Sequence, residues 1–342
     1  MPVVIIPAPG AVRTRVRVNI RRGAPSAAAP RSRTAEADET LRIIGTATGV
    51  SVAGIDRWYA LENSEFVWSG ACSDDDQAGE ADNDRPDRRA MGDYVPPDIR
   101  VVPGVRHKAQ GLRPGGLEGL IVHFDAYRIR AAGNGPEASD SRTLDMLRSG
   151  EDNGFHYVEI SRTGTIFMPE GFNWLEWGSH AGTSRCPRTG RTGVSRYYVG
   201  VEMNNPGVLY PTADPDIFCP WFNARRNEQG NVILDAQGKC VRRSASDEWY
   251  KQSEVRFVPA QGNIHPHWYL PYSHAQFEAL TNLVLYLARR YPDSFRIENV
   301  LGHDEVAPTR KDDPGGALAS PDEVMTMEAF RTYLRDRGGM VR

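Results

Sequence analysis

The sequence predicts an α/β protein: a central, mostly mixed β-sheet flanked by helices, preceded by a small all-β barrel. Three observations lead there. From about residue 104 onward, short apolar runs of strand character alternate with segments of helical periodicity, the pattern of a layered α/β domain. Before residue 72 there are only short apolar runs divided by turn residues, as in a small barrel. Between the two, residues 73–103 are rich in Asp, Glu, Arg and Pro, and their Asp74-Asp75-Asp76 run cannot contribute to a core. The expected organisation is a barrel at 1–72, a linker at 73–103 and an α/β domain at 104–342.

Along the chain, the runs at 16–20, 41–44, 49–52, 58–61 and 66–68 are the expected barrel strands, with Trp58 and Trp68 as candidates for its core. In the α/β region, residues 119–124 (Gly-Leu-Ile-Val-His-Phe) read as a buried strand carrying His123 near its end. Residues 155–160 and 165–168 flank Arg162-Thr163-Gly164, a hairpin signal. Residues 197–203 and 295–301 are further strands. A helix starts at Ser273, where Gln276 completes a capping box. Phe277, Leu280, Leu283, Val284, Leu287 and Tyr291 recur at helical spacing, and Pro292 ends the helix. A last helix covers about 326–337 and stops at Gly338.

Length and composition bound the function. With 342 residues, 40% hydrophobic and 25% charged, the chain has ordinary globular composition and room for two domains. A formal net charge of −3 gives no reason to expect a nucleic-acid partner. No stretch approaches the ~20 apolar residues of a membrane helix. The start, Met1-Pro2-Val3-Val4-Ile5-Ile6, lacks a basic region, and its apolar run is broken by Pro7 and Pro9, so no secretory signal is expected. The four cysteines form no CxxC pair, which argues against a cysteine zinc cluster. Cys219 and Cys240 flank a turn-rich segment; one disulfide and two separate buried thiols are both compatible with that placement.

The densest chemistry lies in Gly302-His303-Asp304-Glu305-Val306-Ala307-Pro308-Thr309-Arg310-Lys311-Asp312-Asp313-Pro314-Gly315. It follows a predicted strand, has no periodicity of its own, and gathers a His, a Lys and several carboxylates. A catalytic zinc site needs three protein ligands and one open position. His303 and Asp313 can meet on one ion if this loop folds back, and His123 is the best third ligand. In 197–203, alternation puts Tyr198, Gly200 and Glu202 on one face. A carboxylate on so apolar a strand is costly to bury without a partner, and Gly200 beside it leaves room for a ligand.

These segments resemble the type 2 N-acetylmuramoyl-L-alanine amidases, the family that also contains the peptidoglycan recognition proteins. The C-terminal motif, Gly-His-x-x-(Ile/Val)-x-Pro-x-Arg-Lys-x-Asp-Pro-Gly, matches residues 302–315 without a gap. The Ile-Val-x-His type of strand matches Leu120-Ile121-Val122-His123, the Gly-(Ile/Val)-Glu strand matches Gly200-Val201-Glu202, and Trp-x-x-His-Ala-Gly matches Trp177 to Gly182. The resemblance implies Zn2+ held by His123, His303 and Asp313, Glu202 as general base, and Lys311 beside the reacting carbonyl. It also makes Trp177, His180 and Asn204 candidates for substrate binding. Some members carry a catalytic Tyr where this chain has Phe155. The stretch from about 206 to 269 is longer than in compact members and is expected to border or cap the groove. Further upstream, Val18 to Pro25, Trp58-Tyr59 and Phe66 to Gly70 resemble bacterial Src-homology-3-type domains, modules that often bind cell-wall peptide.

The resemblance implies hydrolysis of the amide bond between N-acetylmuramic acid and L-alanine of peptidoglycan. Two rival readings are a non-catalytic recognition module and a zinc peptidase cutting within the stem peptide. Without a signal peptide, delivery to the wall would be by phage lysis or a dedicated secretion system, with a cytoplasmic role otherwise; an immunity or inhibitor protein is a conceivable partner, and a monomer is the default. His156 is expected to be structural, and His265 and His267 to be loop histidines.

Overall fold

The computed structural model describes residues 3, 5–14, 17–37, 39–52, 55–74, 97–131, 133–319 and 323–338, which fall into two compact units divided near residue 87. The N-terminal unit is a seven-stranded sheet in the order Arg31–Ala35, Val18–Arg22, Glu65–Trp68, Ile55–Leu61, Thr40–Val52, Ile5–Thr14, Cys72–Asp74, with every pairing antiparallel. Alternation along Ile55–Leu61 sends Tyr59 and Leu61 into one cluster with Val12, Ile20 and Val67, and Trp58 and Ala60 into another with Ala47 and Phe66. Trp58 is buried opposite Trp68 and donates from Nε1 to the Val50 carbonyl at 3.0 Å. The runs at 41–44 and 49–52 are parts of one strand. Ile5–Thr14 is a strand despite its prolines, because its register shifts between Pro7 and Gly10, and prolines are tolerated at such a bulge.

Strand structure reaches into the expected linker from both sides. Cys72–Asp74 pairs with Ile5–Thr14, and Ile99–Val102 forms an edge of the second sheet. Asp75 and Asp76 lie outside the described residues.

The C-terminal unit is built on a six-stranded mixed sheet in the order Val300–Gly302, Gly119–Phe124, Tyr198–Met203, Tyr157–Ile160, Ile166–Pro169, Ile99–Val102. All neighbours are parallel except the hairpin of Tyr157–Ile160 with Ile166–Pro169. Helix His274–Arg290 is fixed at its start by the expected box: Ser273 Oγ accepts from Gln276 N at 3.0 Å and Ser273 N donates to Gln276 Oε1 at 3.1 Å. Phe277, Leu280, Leu283, Val284 and Leu287 then join Leu120, Val122, Val158 and Val201 in the main core, with Phe330 and Leu334 of helix Met327–Arg337. Each such side chain contributes about 1.5–3 kcal/mol by leaving water.

The helical cover is thinner than the sequence suggests. The opposite face of the sheet carries helix Ser139–Asp152 at one side only. Its centre is covered by an irregular segment, where Ala181, Cys186 and Val194 pack on Ile121 and Tyr198. The expected strand at 295–301 is reduced to Val300–Gly302, preceded by a 3-10 turn at Ile297–Asn299.

The excursion folds as a five-stranded antiparallel sheet in the order Tyr250–Lys251, Ile217–Pro220, Val208–Pro211, His267–Tyr269, Arg256–Val258. It has its own small core around Leu209, Phe218 and Tyr250. Cys219 and Cys240 are neighbouring buried thiols with a hydrogen bond between them, and no disulfide joins them. The excursion grips the chain that follows the His123 strand. Trp221 Nε1 donates to the Ala126 carbonyl at 2.8 Å, Arg128 pairs with Asp247, and Glu248 accepts from the backbone of Ile129 and Arg130 at 3.1 and 3.3 Å.

Candidate metal centre and active site

The parallel register sets the site. His123, Glu202 and Glu159 are lateral partners on three adjacent strands. All three sit towards the carboxyl ends of those strands, where open α/β sheets bind ligands. His303 begins the short helix His303–Val306 directly after the edge strand. The loop after it folds back through Asp304, whose N–H donates to the Asp313 carbonyl at 2.7 Å. The Asp304 carboxylate in turn accepts from Gly315 N at 3.1 Å and from Asn263 Nδ2 at 2.7 Å.

This brings His123, His303 and Asp313, all buried, to one point. His123 Nδ1 lies 2.8 Å from His303 Nδ1, and Asp313 Oδ2 lies 3.0 and 2.9 Å from the two nitrogens. An imidazole nitrogen offers one in-plane direction, either a lone pair or an N–H. A closed triangle of three short contacts therefore cannot be three hydrogen bonds. It fits three lone pairs converging on a cation. Two imidazoles and a carboxylate are a donor set for a catalytic zinc ion with one position left open.

Electrostatics support that use. Burial, with the neighbouring His303, pushes His123 down to about 4, so the ring is neutral and can ligate at physiological pH. Burial would raise the Asp313 carboxyl, but its close contacts with the His123 and His303 rings outweigh it and hold the group below the usual range. Glu202 Oε1 stands 3.9 Å from His123 Nδ1. Burial first, then the charges of Asp313 and Asp125, raise Glu202 well above an ordinary carboxyl, while Lys311 opposes the rise. These groups line a cavity of about 250 Å³, walled by Phe155 and Met146. A larger cavity of about 720 Å³ between Asp216, Trp249 and Lys251 lies in the excursion and holds no comparable cluster.

The structure places the three expected substrate-binding residues as follows. Asn204 is fully buried and faces no substrate space: its side chain donates to Asp125 Oδ2 at 2.7 Å and accepts from Ser139 Oγ at 2.6 Å. Trp177 is outside the cavity lining, in a two-residue strand against Gly111–Leu112 with the Arg196 guanidinium 5.0 Å from its ring centre. His180 borders the cavity, but its ring is committed behind His123, with Nδ1 3.2 Å from His123 Nε2 and Nε2 2.9 Å from the Tyr198 carbonyl. The space beside Gly200 belongs to that ring and not to a ligand. His156 is structural, buried and stacked on Phe172 with ring centres 4.4 Å apart. His265 pairs with Asp312 at 2.7 Å in a half-exposed loop.

Sequence reasoning missed Asp125, Glu159 and Tyr272. Asp125 lines the cavity and is pushed up to about 7 by burial. Glu159 is buried beside Asp125, and it is raised well above the usual range by burial first and then by the charges of Asp125 and Glu202. Tyr272 Oη donates to the His123 carbonyl at 3.2 Å. Only Asp125 carried a signal, its position two residues beyond His123.

The C-terminal unit is thus a mixed-sheet α/β fold with a buried His-His-Asp cluster that could hold a metal ion beyond the carboxyl ends of its parallel strands, and a carboxylate alongside. The family model described as N-acetylmuramoyl-L-alanine amidase matches residues 114–316, more than half of the chain, and the protein belongs to that family. It is an enzyme of the N-acetylmuramoyl-L-alanine amidase class. No curated protein matches it significantly. Similar solved structures include an AmpD derivative (19% identity, 69% of this chain and 93% of that chain, TM-score 0.35). They also include AmiD from E. coli in complex with anhydro-N-acetylmuramic acid-L-Ala-D-gamma-Glu-L-Lys (18%, 63% and 58%, TM-score 0.31). A third is AmpDh3 from Pseudomonas aeruginosa with an anhydromuramic pentapeptide (18%, 63% and 61%, TM-score 0.32).

Proposed function

We propose that this protein is a zinc-dependent hydrolase of the amide bond between N-acetylmuramic acid and L-alanine. The observation that carries the reading is the convergence of His123 Nδ1, His303 Nδ1 and Asp313 Oδ2 with Glu202 at their side, in a chain of the amidase family. Zinc held by those three residues would supply Lewis acidity at the scissile carbonyl and would lower the pKa of water beside it. Glu202 takes the proton from the attacking water, a role its raised affinity for protons suits, and returns it to the departing L-alanine amine. The Lys311 ammonium faces the negative charge that develops on the lactyl oxygen, where a preorganised cation is worth more than in water. Phe155 at the cavity wall offers no hydroxyl, and Glu202 is assigned as the proton carrier. Such an enzyme acts at the cell wall, and the N-terminal sheet is assigned a wall-binding role from its Src-homology-3-like sequence.

Digestion of purified peptidoglycan by the zinc-loaded protein and by Glu202→Ala, with mass spectrometry of the products, tests the reading. Wild type is expected to release stem peptides with a free L-alanine amine, and the variant to lose at least ~100-fold in rate. Cuts inside the stem would instead make it a peptidase. Binding of zinc and peptidoglycan with no cleavage would make it a recognition module.

A further inference from the structure

We infer that His180 is a positioning residue for the metal centre: it locks His123 in the tautomer whose Nδ1 lone pair points at His303 and Asp313. The inference rests on the zinc reading above. The chain of donors runs one way. The Tyr198 carbonyl can only accept, so His180 Nε2, 2.9 Å away, carries the hydrogen. A neutral His180 then presents a bare Nδ1. His123 Nε2, 3.2 Å from it, must supply the hydrogen of that contact. The remaining nitrogen of His123, Nδ1, is left without a hydrogen, and it is the atom in the triangle with His303 and Asp313.

The fold is built to keep the His180 ring in this place. Gly200 stands on the strand beside His123, and a Cβ there would lie 2.7 Å from His180 Cγ and 2.8 Å from its Nδ1. The absence of a side chain at Gly200 is what admits the ring. The backbone of the segment is held by Ser195 Oγ, which accepts from His180 N at 3.4 Å and Ala181 N at 3.1 Å. Two sequence features, a glycine beside the Glu202 position and a histidine in Trp177 to Gly182, thus serve one contact. Outer partners of metal-bound imidazoles set ring orientation and basicity, and losing one costs roughly 10- to 100-fold in metal affinity.

The test compares wild type, His180→Phe, His180→Asn and His123→Ala by zinc competition with a chromophoric chelator. Phe fills the space but accepts nothing; Asn places Oδ1 near the former Nδ1. His180→Phe is expected to bind zinc about 10- to 100-fold more weakly, with His180→Asn recovering most of the loss. Ring-nitrogen NMR of the metal-free wild type is expected to show His123 with its hydrogen on Nε2. Equal zinc affinity in wild type and His180→Phe, or a His123 hydrogen on Nδ1, would overturn the inference. If His123→Ala binds zinc as tightly as wild type, the zinc reading itself falls, which separates the two failures.

Discussion

At the scale of the residue, the site is a set of buried groups whose protons are placed by their neighbours. Glu159 shows the cost of that arrangement. It is a lateral partner of Glu202, is fully buried and has two further carboxyl groups, Asp125 and Glu202, for neighbours. Its affinity for protons is raised, so the folded protein holds this proton at pH values where the unfolded chain has released it. The stabilisation is complete below the unfolded value of ~4.3 and is lost as pH rises towards the folded value. Glu159→Gln carries no such dependence. In metal-free protein, the variant is expected to gain stability relative to wild type between pH 4.5 and 7.5, read from urea midpoints; a difference that stays constant with pH would contradict the assignment. His303 and Asp313, with His123 as a third partner, were singled out by the chemistry of their own segments, while Glu202 and Lys311 took their expected roles from the family resemblance. Glu159 and Asn204 were not legible, because only strand register decides which neighbours a buried polar group meets.

At the scale of the element, the start of the loop that carries His303 and Asp313 is braced by a helix far along the chain. Arg331, buried on Met327–Arg337, donates to the Val300 carbonyl at 3.0 Å and to both oxygens of Glu305 at 2.8 and 3.0 Å. Glu305 in turn accepts from Gly302 N at 3.1 Å, one residue before His303. Arg331→Met leaves Glu305 without its cation and is expected to cost about 3–5 kcal/mol in urea unfolding. A loss below ~1 kcal/mol would show that the loop holds without the pair. The helix at 274–290 could be read from its capping box and periodicity, since both signals lie within the element. The excursion could not. Its strands are two to four residues long, too short for a period, and are defined by pairing across distant residues such as Val208 with Tyr269.

At the scale of the whole molecule, composition and the pattern of apolar runs suggest a β-rich N-terminal part and an α/β part; the structure falls into two compact units. The edges of the expected linker are strands: Cys72–Asp74 is short and polar, while Ile99–Val102 is β-branched at three of its four positions but follows a charged, Pro-containing stretch. What joins sequence to the candidate site is that the segments around His123, Glu202 and His303 lie on or directly after adjacent parallel strands of the mixed sheet. The most direct measurement is turnover of a defined N-acetylmuramoyl-L-alanyl peptide by the full chain, before and after removal of metal with a chelator and again after one equivalent of zinc. Release of the free peptide amine that is abolished by the chelator and restored by zinc is the expected result. Turnover that survives metal removal, or a product that keeps the muramoyl–alanine bond, would contradict the account.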